Sequence, residues 1–208
     1  MQKPERSILM LFKEIHEGME TAFNELFLAY YDRLVAFSVQ YVKQQECAEE
    51  ITSELFVKLW LRRNALSDIL NPEVYLYVAV KNASLNYLRG DKKNNRALFD
   101  GIEKADILPF GDYHSPELET KELTRKLDEA IAALPEQRRM IFRLIKEDGL
   151  KCREVARILN ISVRTVENQM YKAVKNLADA ISPYLGYHPQ KKISKKQAFS
   201  NLPLLFFL

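Results

Sequence analysis

The stretch Lys151-Cys152-Arg153-Glu154-Val155-Ala156-Arg157-Ile158-Leu159-Asn160-Ile161-Ser162-Val163-Arg164-Thr165-Val166-Glu167-Asn168-Gln169-Met170 leaves the chain little choice of geometry. A tight corner between two helices needs a small residue where they touch, and Ala156 stands there. Four residues later the chain must reverse through a turn that often contains Gly. Asn160 holds that place, and Asn is the usual non-Gly residue tolerated in left-handed geometry. Ser162 can cap the next helix, while Val155, Leu159, Ile161, Val166 and Met170 face inward. The pattern predicts a helix-turn-helix. Arg164, Thr165, Asn168, Gln169 and Lys172 lie toward the outer side of its second helix, and Lys175 extends the positive face. Such side chains hydrogen-bond base edges or phosphates in the major groove. A solvated helical hairpin is the alternative for the same charges.

Upstream, apolar residues recur at three- and four-residue spacing and predict three more helices. The first covers about residues 21–43 through Phe23, Leu26, Phe27, Tyr30, Leu34, Phe37 and Tyr41. The second covers about 47–63, with Ile51, Leu55 and Leu59 one turn apart and Phe56 and Trp60 widening the apolar face. The third opens on Asn71 as cap, Pro72 at the first helical position and Glu73 at the positive dipole end, and is expected to stop at Gly90. From about Asp91 to Ser115 the periodicity fails, and residues 97–120 hold six acidic groups against Lys104 alone. So long a stretch without an element of its own marks a domain boundary. Helices resume after Ser115-Pro116-Glu117, break at Leu134-Pro135 and restart with Pro135 in the first turn. Only six Gly and eight Pro in 208 residues disfavour Gly-rich nucleotide loops and turn-rich β folds.

The expected fold class is therefore all-α: two helical domains joined by a long acidic linker, the second a helix-turn-helix. The expected boundaries are 1–93, linker 94–115, 116–183, and a basic then apolar tail over 184–208.

The formal charge of +3 conceals four blocks: net −4 over residues 1–80, +4 over 81–96, −4 over 97–150 and +7 over 151–196. The first basic block begins on a helix face. At 100° per residue Tyr75, Asn82, Asn86 and Arg89 fall within roughly 60° of arc. Lys81 lies beside them, and Lys92, Lys93 and Arg96 follow. Rings, amides and cations together suit single-stranded nucleic acid, in which bases stack and phosphates are held electrostatically. Core tyrosines beside solvated amides are the other reading. On the second helix Glu49, Glu50, Ser53 and Glu54 form an acidic ridge, suited to a basic protein partner or simply to water.

Other classes find little support. His16, His114 and His188 are far apart, Cys47 and Cys152 lack metal-ligand spacing, and no P-loop or dinucleotide fingerprint occurs. No enzyme activity, cofactor, metal or small-molecule substrate is expected. The apolar run Ile8–Phe12 is shorter than the roughly 7–15 residues of a signal-peptide core. The run 202–208 is shorter than the ~20 residues of a membrane span, so a cytoplasmic, reduced protein is expected.

In this order the elements resemble a bacterial RNA polymerase sigma factor of the extracytoplasmic-function (ECF) group, over about residues 20–182. The resemblance is carried by Ala22-Phe23-Asn24-Glu25-Leu26-Phe27 through Tyr41, by 48–60 and by Asn82-Ala83-Ser84-Leu85-Asn86-Tyr87-Leu88-Arg89. Leu134-Pro135-Glu136-Gln137-Arg138-Arg139, Gly149-Leu150 and the helix-turn-helix through Leu177 carry its second half.

The resemblance implies that Glu49, Glu50, Ser53, Glu54, Phe56 and Trp60 dock on core RNA polymerase, at the clamp helices of its β′ subunit, with the β flap as a further contact. Tyr75, Lys81, Asn82, Asn86, Arg89, Lys92 and Lys93 would melt and read the promoter's minus-ten element as a single strand. Arg164, Thr165, Asn168, Gln169, Lys172 and Lys175 would read the minus-thirty-five element as a duplex. Three positions depart from the family pattern: Ser53 stands for Gln, Asn86 for Asp and Tyr75 for Trp. The acidic linker would thread basic channels of the polymerase, and an anti-sigma factor, often membrane-associated in this group, is the implied regulator. Lys191, Lys192, Lys195 and Lys196 before the apolar end are a candidate contact for a partner, a membrane surface or the protein's own domains. The competing reading is a helix-turn-helix regulator acting without polymerase, against which stands the lack of a βα receiver pattern in the first half.

Overall fold

The computed structural model describes residues 6–94 and 118–182, the side chains of 91–94 and 118–121 excepted. The cap at Ser115-Pro116, the linker beyond Asn94 and the tail expected over 184–208 lie outside the described residues. Every helix is α except a 3-10 segment at Arg63–Asp68, and no strand occurs among the described residues. The chain divides into two compact units, Met1–Gly111 and Asp112–Leu208, with the division falling inside the expected linker.

The first unit holds α1 (Ile8–His16), α2 (Glu20–Val42), α3 (Gln45–Leu61) and α4 (Pro72–Asn94). The sequence periodicity did not predict α1. Its apolar residues crowd together, yet Leu11, Phe12 and Ile15 are buried while Leu9 and Met10 remain exposed. Ser7 caps it by accepting from the Met10 N–H, and Arg6 ties it to α2 by pairing with both Glu14 and Glu25.

Along α2, Leu26, Tyr30, Leu34 and Phe37 bury one row against α3 and α4. Deep in that packing the Ser38 and Ser84 hydroxyls meet at 2.9 Å, and Ser84 donates to the Val80 carbonyl at 2.9 Å. The two buried hydroxyls thus satisfy one another, as buried polar groups must.

α4 begins as expected: the Asn71 Oδ1 accepts from the Val74 N–H at 3.3 Å, and Pro72 takes the first helical position. Its end differs from expectation. The helix runs through Gly90 to Asn94, because Gly90 does not take the positive φ of a left-handed stop. An interior Gly costs a helix only about 1 kcal/mol relative to Ala, so α4 continues and Lys92 and Lys93 lie on its last turn.

The second unit holds α5 (Leu118–Ala132), α6 (Glu136–Lys146), α7 (Cys152–Leu159) and α8 (Val163–Ile181). Pro135 is the cap of α6, one residue before the helix rather than within it. Arg139 closes the α5–α6 corner by donating to the Ala132 carbonyl at 2.5 Å. Between α6 and α7 the chain reverses at Gly149, whose φ of 77° suits glycine, and the Leu150 N–H returns to the Leu144 carbonyl at 2.9 Å. Ile131, Leu134 and Phe142 pack on Met170, Ala173, Val174 and Leu177 of α8. This core holds α8 from one side only.

Candidate nucleic-acid and polymerase interfaces

The corner between α7 and α8 has the expected construction. Asn160 sits at φ 58°, ψ 49°; the Ile161 N–H reaches back to the Ala156 carbonyl at 3.0 Å and the Asn160 N–H to the Arg157 carbonyl at 3.3 Å, which satisfies two of the orphan carbonyls of α7. Ser162 Oγ accepts from the Thr165 N–H at 3.0 Å and lies 2.8 Å from the Thr165 hydroxyl, so Thr165 is held to the cap. Val155, Ala156, Val166 and Met170 are buried; Leu159 and Ile161 are half-buried, and the deepest residue of α7 besides Val155 is Ile158.

Opposite that packing Arg164, Lys172 and Lys175 are exposed, with Asn168 half-buried among them. Gln169 lies at the flank, where its Oε1 accepts from Arg138 of α6 at 3.2 Å. Arg138 is a contributor that the sequence pattern alone did not single out. At the start of α7, burial and then the charge of Glu167 push the Cys152 thiol upward from its ordinary value.

On α4 the expected row is present. Asn82, Asn86 and Arg89 are exposed, and Arg89 donates to the Asn86 Oδ1 at 3.3 Å. Tyr75 is 39% exposed and meets Phe12 of α1 edge-on at 6.3 Å, so α1 supports the base of the aromatic ring. Lys81 is half-buried, and burial lowers its ammonium pKa from the ordinary lysine value. The opposite side of α4 is anchored by Leu76, Tyr77, Val80 and Ser84, all fully buried.

The acidic ridge on α3 is exposed at Glu49, Glu50, Ser53 and Glu54. Gln45 donates to Glu49 at 2.8 Å and Lys58 to Glu54 at 2.6 Å, so part of the ridge charge is balanced within the helix. Phe56 does not belong to that surface. It is 2% exposed and packs its ring on Phe23, Phe27 and Tyr31 of α2, at centroid distances of 6.1, 4.9 and 6.3 Å. A long ring at the edge of the buried arc reaches the α2 aromatics and is drawn inward. Trp60 is half-buried against Phe23 at 5.1 Å, with the Arg63 guanidinium 4.9 Å from its ring centre.

Val57 and Leu61, 57% and 71% exposed, take the place of Phe56 on the outer face. At 100° per residue they share roughly 60° of arc with Glu50 and Glu54. Continuing the Glu50-to-Glu54 step along the same stripe would have found them in the sequence. No group of His, Cys, Asp or Glu among the described residues could hold a metal ion, and no described helix is long and apolar enough to cross a membrane.

Two family models match the chain. One, "Sigma-70 region 2", covers residues 26–94, and the other, "Sigma-70, region 4", covers 124–177, so one falls in each structural unit. Curated relatives include the ECF RNA polymerase sigma-E factors of Escherichia coli (strain K12) and Haemophilus influenzae (strain ATCC 51907 / DSM 11121 / KW20 / Rd). The first is 24% identical over 182 residues and the second 24% over 181, covering 85% and 84% of this chain and 95% of either relative. The chain belongs to the extracytoplasmic-function group of sigma factors. As a sigma factor it directs RNA polymerase to promoters. A solved structure of CnrH in complex with the cytosolic domain of CnrY aligns with this sigma factor at a TM-score of 0.49 and 18% identity, over 84% of this chain and 97% of that one. Within the sigma factor, α2 to α4 make up region 2 and the helix-turn-helix lies in region 4.

Proposed function

We propose that this sigma factor opens and reads its promoter through two separate helix faces while a third holds the polymerase. The α4 row of Tyr75, Asn82, Asn86 and Arg89, with Lys81, Lys92 and Lys93 beside it, holds the minus-ten element as a single strand: the ring stacks, the amides meet exposed base edges and the cations take phosphates. The α8 residues Arg164, Thr165, Asn168, Gln169, Lys172 and Lys175 meet the minus-thirty-five element as a duplex. On α3, Glu49, Glu50, Ser53, Glu54 and Trp60, joined by Val57 and Leu61, dock on the β′ clamp helices, and the second unit contacts the β flap. No covalent chemistry is involved, the setting is the cytoplasm, and regulation falls to an anti-sigma factor.

The observation that carries this reading is the pairing of two polar rows, each exposed along a helix whose other side is buried, within the two segments that match sigma-70 regions. Transcription in vitro with core polymerase on a panel of genomic promoters tests it. Promoter-dependent RNA is expected. Failure to bind core polymerase, together with dimeric binding to a palindromic operator, would instead establish the polymerase-independent regulator.

A further inference from the structure

Gln169 and Arg138 form a small device at the edge of the outward row of α8. Arg138 stands in the first turn of α6 and extends along the α8 flank. Its Nε donates to Gln169 Oε1 at 3.2 Å. With the Asn176 carboxamide turned to satisfy its own hydrogen bonds, the same guanidinium donates to Asn176 Oδ1 at 3.0 Å, and Asn176 Nδ2 donates to the Lys172 carbonyl at 3.1 Å. Gln169 and Asn176 are seven residues apart, two turns along one face, so one arginine spans both.

The chemistry of that contact removes an ambiguity. A free glutamine can turn its carboxamide over and offer a base either an acceptor or a donor. Guanidinium has only donors, so it can meet only the carboxamide oxygen. Once Oε1 is held by Arg138, the Nε2 amide is directed away from it, and among the described residues no protein group accepts from Nε2.

We propose that Arg138 is a positioning residue that presents Gln169 to the duplex as a hydrogen-bond donor. The inference rests on the reading that α8 lies in the major groove. Purine N7, guanine O6 and thymine O4 accept a hydrogen bond there, whereas cytosine offers its N4 donor. The position beneath Gln169 therefore selects against cytosine.

The test uses polymerase carrying the full-length chain, a promoter library randomised across the minus-thirty-five element, and sequencing of the transcripts. Wild type depletes cytosine at one position. Arg138→Ala relaxes that depletion by about tenfold at that position alone, because the carboxamide regains its freedom to flip. Arg138→Lys, which still donates, restores part of it. Gln169→Glu keeps Arg138 engaged through one oxygen and offers the other to cytosine N4, so cytosine becomes enriched at the same position. Should Arg138→Ala fail to fold, Gln169→Glu decides: enrichment supports the inference and its absence overturns it. A uniform loss across all sequences, or an unchanged profile, in a folded Arg138→Ala protein also overturns it. If Arg164→Ala alters base preference while these variants do not, only the positioning role fails. If wild type shows no preference and Arg164→Ala is silent too, the duplex reading falls with it.

Discussion

Replacing Phe56 separates two roles that a single helix can confuse: holding the first unit together and the proposed docking on the polymerase. The ring is 2% exposed and meets three aromatic rings of α2. Truncating a buried Phe to Ala costs about 3–5 kcal/mol, and each lost ring pair adds about 0.5–1.5 kcal/mol beyond burial, so Phe56→Ala belongs at the upper end, about 4–5 kcal/mol. That approaches the whole stability of a small domain, about 5–15 kcal/mol. Phe56→Leu keeps most of the apolar volume and costs about 1.5 kcal/mol.

The molecule carries its own probe, because Trp60 is its single tryptophan and packs 5.1 Å from Phe23 in the same aromatic group. Its fluorescence in urea follows the first unit alone. With a slope of about 2 kcal/mol per M, the Trp60 midpoint falls by about 2 M for Phe56→Ala and by less than about 1 M for Phe56→Leu. Under conditions where both remain folded, Phe56→Leu binds core polymerase as wild type does. Val57→Ser with Leu61→Ala does the reverse: each surface change moves stability by no more than about 0.5 kcal/mol, while affinity for core polymerase drops about tenfold. A Phe56→Ala protein with an unshifted Trp60 midpoint and impaired polymerase binding would refute the assignment of the ring to the core.

Three further outcomes are expected. Ser38→Ala and Ser84→Ala each strand a buried hydroxyl or remove its partner and cost about 1–3 kcal/mol, but the double variant costs at least ~0.5 kcal/mol less than their sum; additive unfolding energies would show that the hydroxyls are not coupled. Asn82→Ala leaves binding to core polymerase intact and reduces permanganate reactivity of minus-ten thymines; loss of core binding would move Asn82 to a different interface. At pH 8 the Cys152 thiol alkylates more slowly than free cysteine, since its raised pKa leaves a smaller thiolate fraction, and faster alkylation would contradict that direction.

The parts of this fold that a sequence exposes are those fixed by a few neighbouring residues. The α7–α8 corner needs Ala156, Asn160 and Ser162 within seven positions, and the start of α4 needs only Asn71 and Pro72; both stand in the structure with the expected bonds. The parts that stay hidden depend on what lies across the core. Phe56 borders the exposed arc of α3, and only the presence of Phe23, Phe27 and Tyr31 on α2 decides that it turns inward. Likewise α1 is too short for its period to show, and its burial becomes evident only against α2, α4 and the 3-10 segment. Gly90 misleads for a related reason: a glycine permits a left-handed stop without demanding one, and α4 runs on. Among the residues proposed to present the duplex-reading face, Arg138 is remote in sequence from Gln169, and their contact follows from the packing of α6 on α8.

Affinity and sequence preference at α8 should divide between different side chains, and salt separates them. Arg164 lies in the first turn, where a helix entering the groove brings its N-terminal residues to base edges, whereas Lys175 is three turns along and exposed. A lysine that neutralises one phosphate releases its counterion and contributes about −0.9 to the slope of log K against log salt. Lys175→Gln therefore reduces the magnitude of that slope by about 0.9 and weakens all duplexes alike. Arg164→Ala instead costs about 1–3 kcal/mol on the preferred promoter and much less on a substituted one. Titrating both variants, bound to core polymerase, against matched and substituted promoters between 50 and 200 mM salt, roughly the range over which phosphate contacts are lost, measures the two effects together. A change of base preference in Lys175→Gln, or an unchanged salt slope, would mean that the lysine does not touch the backbone and that the outward row is used in a different register from the one its exposure suggests.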